Sequence, residues 1–151
     1  MRIIEKPADL HSLVGQEVAV SDWMRIEQAR INAFAAATDD QQWIHVDVER
    51  ATRESPYRAP IAHGYLTLSL LPRLFRSAIR LDGMRMSVNY GLNQVRFPAP
   101  VRAGANIRAR FVLAALTDVK GGLQLEWQIG VDCEGSAKPV CTANTLMRCY
   151  L

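Results

Sequence analysis

Cysteine is scarce here and poorly spaced for chemistry. Cys133, Cys141 and Cys149 are odd in number and contain no Cys-x-x-Cys pair, which excludes a disulfide framework and a thiolate zinc site. Reduced, buried thiols are the expectation. Lysine is nearly absent as well: it supplies three of the eighteen basic residues, and arginine the other fifteen. Aromatic residues make up only 7% of the chain, and no Arg/Lys run interleaves with them, so a nucleic-acid module is not indicated. The net charge of +3 is spread along the chain. No apolar run has the length of a membrane span, since the longest is interrupted by Pro72 and several arginines. The start, Met1-Arg-Ile-Ile-Glu-Lys-Pro, has no apolar segment of signal-peptide length, and a cytoplasmic protein with no membrane partner is expected.

What is present is apolar residue in quantity, 49% of 151 positions. A chain of this size buries roughly 65–70% of its unfolded surface, and no repeat or Pro/Gly linker divides it, so one domain over 1–151 is expected. The arginine excess suits a phosphorylated small ligand, because the planar guanidinium fork binds phosphate bidentately.

Hydropathy is helical first and stranded later. From Ile26 to about Thr38, Ile31, Phe34, Ala35 and Thr38 fall on one stripe of a helix that ends at Asp39-Asp40. A second helix is expected from about Gly64 to Arg80, apolar nearly all round through Leu71 and therefore buried on every side there, with Pro72 kinking it. Beyond Gly83 the period becomes two. Met84–Phe97 reads as a strand with Gly91 at a bulge, and Ile107, Ala109, Phe111 and Leu113 mark the inner face of another. Leu123, Leu125, Trp127, Ile129 and Val131 do the same after a turn at Asp118–Gly122, and a last strand is expected near Val140–Cys149. The fold class is α+β, an antiparallel sheet wrapped around a long central helix.

Within this frame one carboxylate and two imidazoles stand close to helix boundaries. Asp40 and His45 are five apart, and His63 and Gly64 immediately precede the buried helix. An isolated Asp and His at that spacing more often end a helix and satisfy a core carbonyl than catalyse anything. The order of the segments changes that weighting. Asp40-Gln41-Gln42-Trp43-Ile44-His45, Ala62-His63-Gly64-Tyr65 and Val95-Arg96-Phe97-Pro98-Ala99-Pro100-Val101 resemble, in order and spacing, the MaoC-like dehydratases and (R)-specific enoyl-CoA hydratases of the hot-dog superfamily. Their usual motif is Asp-x-Asn-Pro-x-His followed by His-Gly. Gln42 and Trp43 replace its Asn and Pro, a departure associated with a NodN-like branch.

The resemblance implies a hot-dog fold and a catalytic dyad of Asp40 and His45, with the Gly64 amide as oxyanion donor and (R) stereochemistry. It also implies two subunits that join their sheets as a homodimer. The implied substrate is an acyl thioester of CoA or acyl carrier protein, and no cofactor or metal is expected. Adding water across a double bond conjugated to a thioester needs a base to deprotonate water and an acid to protonate the α-carbon, and a carboxylate with an imidazole supplies both. Asp40 is read as chiefly taking the proton and His45 as holding the water and relaying a proton to C2; a coupled pair leaves that division open. A helix N-terminus offers unpaired N–H groups to the developing enolate oxygen. His63, Tyr65, Trp43, Gln42 and Asn93 are candidate substrate-binding residues, each with packing as the alternative reading. A hot-dog thioesterase and a non-catalytic acyl-CoA-binding module are the competing functions.

Overall fold

The computed structural model describes all 151 residues. Its main sheet has the strand order β2-β6-β7-β8-β5, from β2 (Glu17–Val20), β5 (Met86–Arg96), β6 (Asn106–Val119), β7 (Gly122–Cys133) and β8 (Cys141–Tyr150), all antiparallel. A two-residue strand, β3 (Met24–Arg25), adds to β6. The period-two pattern is realised residue for residue: Ile107, Ala109, Phe111 and Leu113 on β6, and Leu123, Leu125, Trp127, Ile129 and Val131 on β7, are buried. The expected bulge lies between Asn89 and Gly91, where Tyr90 is the extra residue.

The central helix differs from expectation in length and continuity. It is broken into α4 (Gly64–Ser69) and α5 (Leu71–Ala78), joined at Leu70. Pro72 has no N–H and occupies the first turn of α5, where that donor would go unused, so the helix restarts there. It stops at Ala78 because Ile79–Leu81 becomes a strand, β4, that pairs in parallel with β1 (Arg2–Ile4). Nor is the first turn buried on every side: Tyr65 is 71% exposed and Leu68 half-buried, while Leu66, Leu70 and Leu74 face the core.

The helix seats on the sheet through aromatic contacts. Phe75 stands edge-on to Phe111 and to Trp127, each with centroids 5.2 Å apart. Burying a side chain the size of Phe111 contributes roughly 1.5–3 kcal/mol. This is the expected hot-dog arrangement, with α4 and α5 lying across the sheet.

Three short elements position the site. The first helix, α1 (Gln28–Thr38), ends at Asp39, and α2 (Trp43–Val46) and α3 (Val48–Glu54) follow. Asp47 starts α3 by accepting the Arg50 N–H at 2.9 Å. The chain then runs extended through Pro60–Ala62 and is clamped on both sides. Ile61 N–H donates to the Ile44 carbonyl at 3.1 Å, and Ala62 N–H donates to the Val101 carbonyl at 2.8 Å.

Candidate active site

Asp39 holds φ +58°, the left-handed conformation that commonly closes a helix and that Asp and Asn adopt more readily than other side chains. That one residue turns the chain off the α1 axis and presents Asp40 to the segment carrying His63. The Asp40 carbonyl lies 3.0 Å from His63 Nε2, with Asp40 Oδ2 3.9 Å from the same nitrogen. A carbonyl only accepts, so Nε2 of His63 carries the hydrogen.

His45 is anchored by the same logic. Its Nδ1 is 2.7 Å from the Ile61 carbonyl, so Nδ1 holds the hydrogen and Nε2 is left with a bare lone pair. The two imidazoles stack, centroids 3.8 Å apart with planes inclined by 24°. Burial pushes the His45 pKa below 6.5; the Ile61 carbonyl raises it, His63 lowers it and Asp40 raises it, each less than burial does. His45 is therefore a neutral imidazole near pH 7.

One donor atom from each of Asp40, His45 and His63 lies within 4.8 Å of the other two. A water donating to two acceptors at about 2.8 Å each, with a tetrahedral angle, bridges about 4.5 Å, so the cluster is close enough for one water to span it. The donor set of two imidazoles and a carboxylate also invites a metal, but the geometry is wrong for one. Lone pairs lie in the ring planes, and stacked rings aim them side by side rather than at one point. The His63 nitrogen nearest the Asp40 carboxylate, Nε2, is also already committed to the Asp40 carbonyl.

Gly64 opens α4, and its N–H makes no hydrogen bond within the chain. A Cβ at this position would come 2.9 Å from Cγ and Cδ2 of Phe97, so glycine is required by close approach of that ring. Packing against Phe97 thus accounts for a glycine here independently of any role for its amide.

Of the residues expected at the site, Asp40, His45, His63 and Gly64 are brought together, and His63 is only 3% exposed. Gln42 is an exposed N-cap of α2, and Trp43 lies under the Arg50 guanidinium at 4.4 Å. Tyr65 points outward, edge-on to Phe97. Asn93 is exposed on β5 at a second bulge, between Leu92 and Gln94. Three contributors were missed: Gln28, whose Nε2 donates to the His45 carbonyl at 2.7 Å; Phe34, 5.0 Å from the His63 ring; and Phe97. Only Phe97 carried a sequence signal, the Arg-Phe-Pro segment.

An antiparallel sheet carrying a broken central helix, with a carboxylate and a stacked imidazole pair at the helix start, defines a hot-dog protein of the hydro-lyase type. Residues 9–131 match the MaoC like domain family, and the chain belongs to that family. It is 47% identical to 3-hydroxyacyl-thioester dehydratase Z of Mycobacterium tuberculosis over 98% of both chains. It is 45% identical to Nodulation protein N of Rhizobium meliloti over 91% of this chain and 86% of that one. The (R)-hydratase from A. caviae superposes with a TM-score of 0.67 at 25% identity, covering 89% of this chain and 94% of that one.

Proposed function

We propose that the protein is an (R)-specific enoyl-CoA hydratase, or 3-hydroxyacyl-thioester dehydratase in the reverse direction, with Asp40 and His45 handling one water opposite the Gly64 amide. The observation that carries the reading is a carboxylate within 4.8 Å of an imidazole whose Nε2 is bare. Likeness to 3-hydroxyacyl-thioester dehydratase Z supports the reaction class.

In hydration, water held by Asp40 and His45 attacks C3 as a proton leaves it, and the electron pair of the double bond moves to C2 and the thioester oxygen. The Gly64 N–H donates to that oxygen. Neither His45 Nε2 nor a carboxylate holds a proton at the outset, so the proton delivered to C2 is one taken from the water. Asp40 removes it chiefly, and His45 relays it. Losing an oxyanion donor costs about 2.7–4 kcal/mol in the barrier.

The carrier is CoA or acyl carrier protein, the unit is a homodimer, and the setting is the cytoplasm, which suits the free thiols of Cys133, Cys141 and Cys149. No helix is long and apolar enough to cross a membrane. The test is loss of the conjugated-thioester absorbance of crotonyl-CoA. Wild type should turn over, whereas Asp40→Asn and His45→Gln should lose at least about a thousandfold in kcat while remaining folded by circular dichroism. Equal rates in all three would remove the dyad, and release of free CoA thiol without loss of the double bond would point to thioester cleavage.

A further inference from the structure

The helix that carries His45, α2, is a single turn, and a helix that short has no stability of its own. Its place is set by tethers. The Ile61 N–H holds the Ile44 carbonyl, the Ile61 carbonyl holds the His45 ring, and the His45 carbonyl accepts from Gln28 Nε2 at 2.7 Å. The first two come from one residue of an extended segment. The third comes from α1, a firmer base, whose Ile31 and Ala35 are fully enclosed.

Gln28 is the first residue of α1, and Asp40 follows just past that helix's other end. One helix therefore holds both members of the dyad, Asp40 through the peptide chain at Asp39 and His45 through the Gln28 amide. The amide's orientation is fixed, because a carbonyl only accepts and the His45 carbonyl must meet Nε2. Asn32 Oδ1, one turn on, takes a second bond from the same nitrogen at 2.8 Å. Gln28 Oε1 is then left buried with no partner. A buried acceptor without a donor opposes folding, so the amide serves the His45 carbonyl while its own oxygen goes unmet.

We infer that Gln28 is a positioning residue: by pinning the His45 carbonyl to α1 it sets the aim of the His45 Nε2 lone pair toward the water shared with Asp40, and so acts on kcat rather than on substrate binding. The inference rests on the hydratase reading for the role of that water and deepens it by naming what holds the dyad in register. Asp40, from the turn after α1, and His63, from the head of α4, are the titratable groups that act on His45. Gln28 is uncharged and works by geometry. Misplacing a reacting group by about 1 Å costs on the order of a hundredfold in rate.

Gln28→Met keeps the length and the apolar stem but removes both donor and acceptor. It should fold by circular dichroism with a Tm close to wild type, and lose roughly tenfold or more in kcat for crotonyl-CoA while KM changes by less than about threefold. Gln28→Glu has the same shape, but its carboxylate has no hydrogen to donate; it should lose kcat likewise, and it stands in if the Met variant does not fold. Placed on His45→Gln, Gln28→Met should cost less than about twofold more, because a residue that acts only through His45 has nothing left to aim. By proton NMR, His45 in Gln28→Met should titrate closer to 6.5 than in wild type by about half a pH unit, since a released imidazole is better hydrated.

Wild-type kcat in either folded variant overturns the inference. So does a tenfold loss that persists in full on the His45→Gln background, which is what a purely structural role would give. If wild type hydrates no enoyl-CoA, the hydratase reading fails and the NMR titration decides: an unmoved His45 midpoint overturns the positioning role as well, and a moved one upholds it.

Discussion

Burial acts on His45 more strongly than any neighbouring charge does, and its consequence is directional. With the folded pKa held below 6.5, the folded state binds fewer protons than the unfolded chain as acidity increases. His45 thus opposes unfolding least at low pH: stability is lost as pH falls through and below 6.5, and the bare Nε2 needed for the water is lost only at the lower, folded value. The acid limb of kcat/KM should therefore bend below pH 6.5, and a limb centred at or above that value would contradict the buried, carbonyl-anchored imidazole. His63 supports the pair from behind. His63→Phe keeps a ring stacked on His45 but removes the hydrogen bond from Nε2 to the carbonyl of exposed Asp40, a loss of about 0.5–1.5 kcal/mol. The variant should fold with a lowered Tm and lose tenfold or more in kcat, whereas unchanged kcat would mean that His63 only packs. At this scale the sequence was informative where the chemistry is local: Asp40, His45, His63 and Gly64 each sit at an element boundary marked by neighbouring residues. Gln28 was not legible, because its bond to the His45 carbonyl spans seventeen positions of chain and leaves no periodic trace.

The central helix shows how element-level packing constrains the site. Gly64 and Phe97 come from elements far apart in sequence, yet the ring occupies the space a Cβ would need. Gly64→Ala should cost about 1–3 kcal/mol through overpacking and lower activity. Phe97→Ala in the same chain separates the two effects. If glycine is needed only to admit the ring, the double variant recovers both Tm and kcat/KM. If its amide must also meet a thioester oxygen unobstructed, Tm recovers and kcat/KM does not. Legibility at this scale followed length. Strands β6, β7 and β8 are ten to fourteen residues long and declare themselves by alternation, whereas β1, β2 and β3 have two to four residues and no period to read. The early end of α5 had the same origin: Arg80 continues a helical pattern, but parallel pairing of Ile79–Leu81 with β1 claims those residues for a strand.

For the whole molecule, the sheet ends abruptly at β5, and that edge is open to assembly. Pairing on one side only leaves a row of free N–H and C=O groups, and natural edges of this kind are usually blunted by lysine, proline or a covering element. Residues 86–96 contain neither lysine nor proline and instead expose Met86, Val88, Tyr90 and Leu92, each by 41–54%. The Arg148 guanidinium sits 3.4 Å over the Tyr90 ring, covering one face of it and leaving the aliphatic row open. An edge apolar on this scale is an aggregation hazard unless a partner covers it, and the simplest partner is a second copy paired two-fold with the same strand. The expected particle has about twice the 16.9 kDa chain mass. Light scattering at micromolar concentration should therefore give a dimer for wild type. Met86→Lys with Val88→Lys, two positions that do not line the cavity between the central helix and the sheet, should yield a monomer with a lower Tm. A wild-type monomer at that concentration would end the edge-pairing proposal. A lysine double variant that stays dimeric would move the interface to the exposed Tyr65 and Phe97 side of the helix.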